Sequence, residues 1–91
     1  MILKPITDGK VAGTGTLTLE SRILGGILVS SDGTNAAAII IRNDDASGTR
    51  FFDISTKAPG LIIGPIKADS DTIYYSITGT NASAQLYEWV N

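Results

Sequence analysis

Ile23-Leu24-Gly25-Gly26-Ile27-Leu28-Val29-Ser30-Ser31-Asp32-Gly33-Thr34-Asn35-Ala36-Ala37-Ala38-Ile39-Ile40-Ile41-Arg42 is the stretch whose reading decides the fold. Two apolar runs flank Ser31-Asp32-Gly33-Thr34-Asn35, where every residue type suits a backbone reversal. Gly accepts positive φ, and short Ser, Asp and Asn side chains bond nearby main chain. β-Branched residues recur in both arms, so the segment predicts a central antiparallel hairpin. Gly25-Gly26 interrupts the first arm and predicts a bulge, or a bend where the strand passes from one sheet to another.

Upstream, Thr16-Leu17-Thr18-Leu19-Glu20 alternates, with Leu17 and Leu19 facing a core. Met1 to Ile6 predicts a short strand at a sheet edge, because Pro5 cannot donate to a ladder. Asp8-Gly9-Lys10 reads as a turn. Val11 to Gly15 is glycine-rich and reads either as an arm reaching a neighbouring subunit or as an irregular connection.

Downstream, Asn43 to Gly48 is a polar turn, and Arg50 to Ser55 is a strand with Phe52 and Ile54 on one face. Lys57-Ala58-Pro59-Gly60 breaks the chain before Leu61 to Ile66, itself interrupted by Gly64-Pro65. Asp69-Ser70-Asp71 turns the chain into Thr72 to Thr78, where Ile73, Tyr75 and Ile77 point inward. A last turn, Gly79 to Ser83, leads to Ala84 to Val90 with Leu86, Tyr87 and Trp89. About eight short strands with regular turn signals, and no sustained helical periodicity, predict an all-β fold. The expected form is a small antiparallel β-sandwich of jelly-roll or Greek-key type. Residues 1–15 form an N-terminal arm or edge strand, and residues 16–91 the sandwich.

Composition narrows the function. The 91 residues suit one domain, 43% hydrophobic and 18% charged, which is globular. Net charge is −2 with the charges spread singly, so no basic patch offers a nucleic acid its phosphate contacts. The chain contains neither cysteine nor histidine. Disulfides, thiolate chemistry, the commonest general base and the commonest transition-metal ligand are therefore all missing. The N-terminus has no signal-peptide pattern. No apolar run approaches the ~20 residues of a membrane helix, so a soluble protein without a membrane partner is expected.

Carboxylates are the candidate chemical groups that are left. Asp32, Asp44-Asp45 and Asp69-Ser70-Asp71 sit in turns, where Asp bonds local main chain. A calcium site from the last two clusters is the alternative, since loop oxygens suit that cation, although neither matches a complete motif. Gly13-Thr14-Gly15 opens no helix and is not a phosphate loop. Asn81-Ala82-Ser83 has the form of a glycosylation sequon without an export signal. No constellation for catalysis exists, so no enzyme activity and no cofactor are expected. Tyr74, Tyr87 and Trp89 read as core or subunit contacts, or else as an aromatic platform for a sugar ring.

Ile39-Ile40-Ile41, Leu61-Ile62-Ile63 and Phe51-Phe52 are more telling. Successive strand residues point to opposite faces, so these runs cannot all enter one core. Continuous apolar strands mean that both faces are covered. With no helix to do so, a second subunit or a larger partner is expected. The candidate oligomer or docking residues are Ile2, Leu3, Ile6, Val11, Ile40, Phe51, Ile62 and Trp89.

The stretch from Gly26 to Val90 resembles small structural proteins of tailed phages. The pattern is carried by Gly26 to Ala36, the apolar strand Ile39 to Ile41, Asp45 to Thr49, Phe52-Asp53-Ile54, Pro59-Gly60 and Tyr75 to Gly79. Proteins of this look are similar to head decoration (cement) proteins and head-fibre bases. The resemblance covers some two-thirds of the chain, rests on turn-rich β patterning and carries no catalytic residues. It implies a homotrimeric sandwich on the outer surface of the phage head, bound to the major capsid protein and bridging capsomers. A receptor- or glycan-binding module of a tail fibre or baseplate is the alternative.

Overall fold

Alternating apolar residues and the turn chemistry between them produce eight strands, with no helix among the described residues. They are β1 (Ile2–Pro5), β2 (Gly13–Thr18), β3 (Ile23–Ser30), β4 (Ala37–Asn43), β5 (Arg50–Thr56), β6 (Gly60–Lys67), β7 (Thr72–Thr78) and β8 (Ser83–Val90). The computed structural model describes residues 2–58 and 60–91, and for residues 61–63 the backbone only.

The strands form two antiparallel four-stranded sheets, sheet A in the order β1-β8-β3-β6 and sheet B in the order β2-β7-β4-β5. The first half of the chain pairs back against the second: β1 with β8, β2 with β7, β3 with β6 and β4 with β5. Successive rungs of this folded-back ladder fall alternately in the two sheets. The ladders β8–β3 and β7–β4 then complete each sheet.

The inner faces meet in one core. Leu24, Ile27, Val29, Ala84 and Leu86 come from sheet A, and Ala37, Ile39, Ile41, Ile73, Tyr75 and Ile77 from sheet B. Leu19, Ala68 and Ala82 close it from the connections. Leu17, Phe52 and Ile54 pack against its margin, on the faces that alternation predicts.

One expectation fails. β3 and β4 do not pair with each other; they are interior strands of opposite sheets. Ser31 to Asn35 is an arch between layers, and the sequence does not distinguish it from a hairpin turn because its bonds are local. Asp32 accepts hydrogen bonds from the N–H groups of Thr34 (2.9 Å) and Asn35 (2.7 Å), and Gly33 has φ +86°. The Ser31 hydroxyl donates to the Lys57 carbonyl, tying this arch to the next crossing connection. Crossing lets Ile27 and Val29 share a core with Ile39 and Ile41. The tight hairpin is instead β4–β5, around Asp44 to Thr49.

Gly25-Gly26 does mark a bulge: β3 shifts register between Leu24 and Gly26 against both of its neighbours. A second shift, between Ile41 and Arg42, gives β5 one extra residue. Phe51 and Phe52 therefore both pack against the core margin, where simple alternation would turn Phe51 outward.

Residues 2–5 and 13–15 are built into the sheets, and the connection between them is tied to β8. β1 is an edge of sheet A, Ile6 N–H donates to the Leu86 carbonyl (2.9 Å), and Val11 bridges to Ala84. The division expected at residue 15 falls inside β2.

Candidate functional site

With the core filled, the outer faces of the two sheets remain, and they differ. On sheet B the outward residues include Thr14, Thr16, Thr18, Ser76, Arg42, Asp53 and Ser55, with Ile40 and Tyr74 half-buried among them. Ile40 stands in register with Ser76 and Asp53, so it is an isolated apolar residue on a polar surface.

On sheet A, Leu3 and Pro5 of β1 lie opposite Trp89 and Tyr87 of β8, and Leu28 of β3 lies opposite Gln85. None of these belongs to the core cluster or packs against it. Leu3 is 36% exposed and Ile2, at the end of the same strand, 63%. Gly25 forms the floor of this patch. A Cβ there would fall 2.5 Å from Leu3 Cδ1 and 2.6 Å from Trp89 Cδ1, so the indole lies directly over backbone. The Tyr87 hydroxyl donates to Gln85 Oε1 (3.2 Å) and fixes the phenol on the same face.

Glu88, between these two aromatics, points the other way and is 1% exposed. Its Oε1 accepts hydrogen bonds from the backbone N–H of Glu20 (2.9 Å) and Ser21 (3.1 Å) and from the Ser21 hydroxyl (3.2 Å). It thereby fastens the β2–β3 connection to β8. Lys4, its register partner on β1, bonds Glu20 Oε1 at 2.5 Å. That hydrogen bond, with the charges of Glu20 and Glu88, raises the Lys4 pKa above its ordinary value.

The sequence-predicted contact residues divide accordingly. Leu3 and Trp89 come together on the outer face at the β1–β8 edge of sheet A, while Ile2, in register with Val90, points to the other face of the same edge. Ile40 lies on the opposite sheet. Ile6, Val11 and Phe51 are half-buried against the core, drawn there by the β1–β2 connection and by the β5 register shift. The Ile62 side chain, like those of Leu61 and Ile63, lies outside the described residues, as does Pro59; the backbone register sets Ile62 opposite Ile27. Tyr74 lies on sheet B and Tyr87 and Trp89 on sheet A, so the three-membered aromatic platform does not assemble. Leu28, Pro5 and Gly25 belong to the patch and are not among the contact residues expected from the sequence. Leu28 could have been found from its alternation with Ile27 and Val29.

The carboxylate turns serve each other. The Asp69 N–H donates to Asn43 Oδ1 (3.0 Å), the Ser70 hydroxyl to Asp44 Oδ1 (2.5 Å), and Arg22 Nε to Asp71 Oδ1 (2.7 Å). The Arg22 hydrogen bond and charge hold the Asp71 carboxyl below the usual carboxylate range. Asp32 is likewise lowered, chiefly by the Asn35 N–H. Among the described residues no three carboxylates gather into a metal-binding group.

Comparison with protein-family models, with curated proteins and with solved structures finds no match for this chain.

Proposed function

We propose that the protein is a non-enzymatic component of a tailed-phage particle. In this reading it decorates the outside of the head and binds the major capsid protein through the outer face of sheet A. The observation that carries the reading is the difference between the two faces: one polar, the other a glycine-floored patch of Leu3, Pro5, Leu28, Tyr87 and Trp89. Large apolar side chains gain about 1.5–3 kcal/mol each on full burial. A broad face on a body of 37 × 29 × 19 Å can supply the roughly 800 Å² per partner of a stable interface. Many copies bridging capsomers would turn modest single-site affinity into firm cohesion of the shell.

We read the strand wiring as a jelly roll, an architecture recurrent in viral capsid and lectin domains. A fold does not specify a function, so it supports the reading without carrying it.

The test is to mix purified protein with empty phage heads and image them. Wild type is expected to occupy the shell, and Trp89→Lys, folded by circular dichroism, to leave it bare. Bare shells with the wild type, or full occupancy by the variant, overturn the proposal. A second reading, a glycan-binding module of a tail fibre, is favoured by Tyr87 and Trp89 sharing a face with the Gln85 amide. A saturable change in Trp89 fluorescence with added sugars would favour it over the first.

A further inference from the structure

Two sheets expose four edge strands, β1, β6, β2 and β5, and an unguarded edge invites another strand. Three of the four carry recognised guards. β1 is only four residues long and contains Lys4 and Pro5. β5 carries the Arg50–Asp53 ion pair (2.7 Å) and a register shift. β6 contains Pro65 and Lys67 and pairs across the β3 bulge. The fourth, β2, reads Gly13-Thr14-Gly15-Thr16-Leu17-Thr18 and has neither charge nor proline. Among the described residues it has a strand neighbour, β7, on one side only.

We propose that β2 pairs antiparallel with β2 of a second copy of this chain, about a two-fold axis through Thr16. The sequence is self-complementary in that register. On the outer face Thr14 meets Thr18 and Thr16 meets Thr16, the Thr–Thr pairing that favours neighbouring strands. On the inner face Leu17 of each copy meets Gly15 of the other. Gly15 has no side chain because the Tyr75 phenol occupies that space: a Cβ would lie 2.5 Å from Tyr75 Oη. The pairing joins the two B sheets into one of eight strands, from four in each copy. Its axis runs perpendicular to the sheet, so both A sheets face the same side. This contact lies on the other sheet from the proposed docking face and does not depend on it. It gives even-numbered assemblies instead of the three-fold one that the phage resemblance implies.

The test uses sedimentation and cysteine cross-linking of the full chain, which has no cysteine of its own. Wild type is expected to sediment at twice the chain mass. Thr16→Lys, an exposed position, sets like charges opposite each other and should weaken the dimer about tenfold or more while leaving the circular dichroism unchanged. Under oxidation Thr16→Cys should form a covalent dimer by itself. Thr14→Cys and Thr18→Cys should cross-link to each other when mixed but not when kept apart. A wild-type monomer or trimer overturns the proposal. So does a Thr16→Lys dimer of undiminished affinity, or a failure of Thr16→Cys to cross-link, which is readable even where the lysine variant does not fold.

Discussion

Leu3 and Trp89 face each other across the β1–β8 pair and close together over the bare Cα of Gly25. Neither contributes to the core, yet each is placed by backbone pairing and by a position that tolerates no side chain. Replacing Gly25 with Ala would drive a methyl into both. The expected cost is about 1–3 kcal/mol, an overpacking penalty, with Tm lowered by roughly 5–15 °C for a domain of this size. Trp89 is the only tryptophan, so a red shift of its emission in the folded variant reports the displaced indole. Unchanged emission and Tm would show that the indole is not seated over Gly25.

Glu88→Leu keeps the bulk of the side chain but removes the acceptor from two backbone N–H groups and the Ser21 hydroxyl. These donors are only part-buried, so leaving them without this acceptor costs about 1 kcal/mol, the low end of the range for buried groups. Urea denaturation should show a loss of that size, and hydrogen exchange should speed up first at Glu20 and Ser21.

Asp32 and Asp71 both have lowered pKa values in the folded protein. Each therefore stabilises the fold fully above the ordinary carboxylate pKa, and the contribution fades as pH falls through the depressed folded value. Tm should decline on acidification below that ordinary range. The gap between wild type and Asp71→Asn should narrow over the same interval, and a gap that widens toward low pH would contradict the assignment to Arg22.

Because β1 completes sheet A and residues 13–15 pair with residues 75–77, removing residues 1–15 strips one strand and half of another. A truncation of that length is expected to lower Tm sharply and expose the β8 edge to aggregation. A truncated protein that melts like the wild type would identify the segment as a dispensable arm.

Much of this architecture is legible in the residues because alternation acts locally. Leu17 with Leu19, Ile73 with Tyr75 and Ile77, and Phe52 with Ile54 all face where the pattern directs them. Gly25-Gly26 announces its bulge. The partners of β3 and β4 are not legible, because Asp32 and Gly33 make the same local bonds in an arch as in a hairpin. The inward turn of Phe51 depends on one inserted residue across a ladder, which only the pairing reveals. Glu88 carries no mark of its role in the sequence, because the N–H groups it accepts from belong to Glu20 and Ser21, nearly seventy positions away.

The contact patch is half legible for the same reason. Trp89 and Leu3 stand out as apolar residues near the chain ends, but nothing in the sequence places them side by side. Ile6 and Val11 look equivalent to them and are not. The connection from β1 to β2 stays alongside β8, through Ile6 on Leu86 and Val11 on Ala84, and packs both against the core.

Of the six ladders among the described residues, only β4–β5 joins strands consecutive in the chain. A ribosome delivers β1 well before its partner β8, so the earlier strand waits unpaired while the six strands between them are made. Closure of sheet A therefore has a high contact order, expected on the slow, millisecond-to-second side of small-domain folding. A cell making this protein in quantity must keep the emerging chains apart until β8 is free to pair.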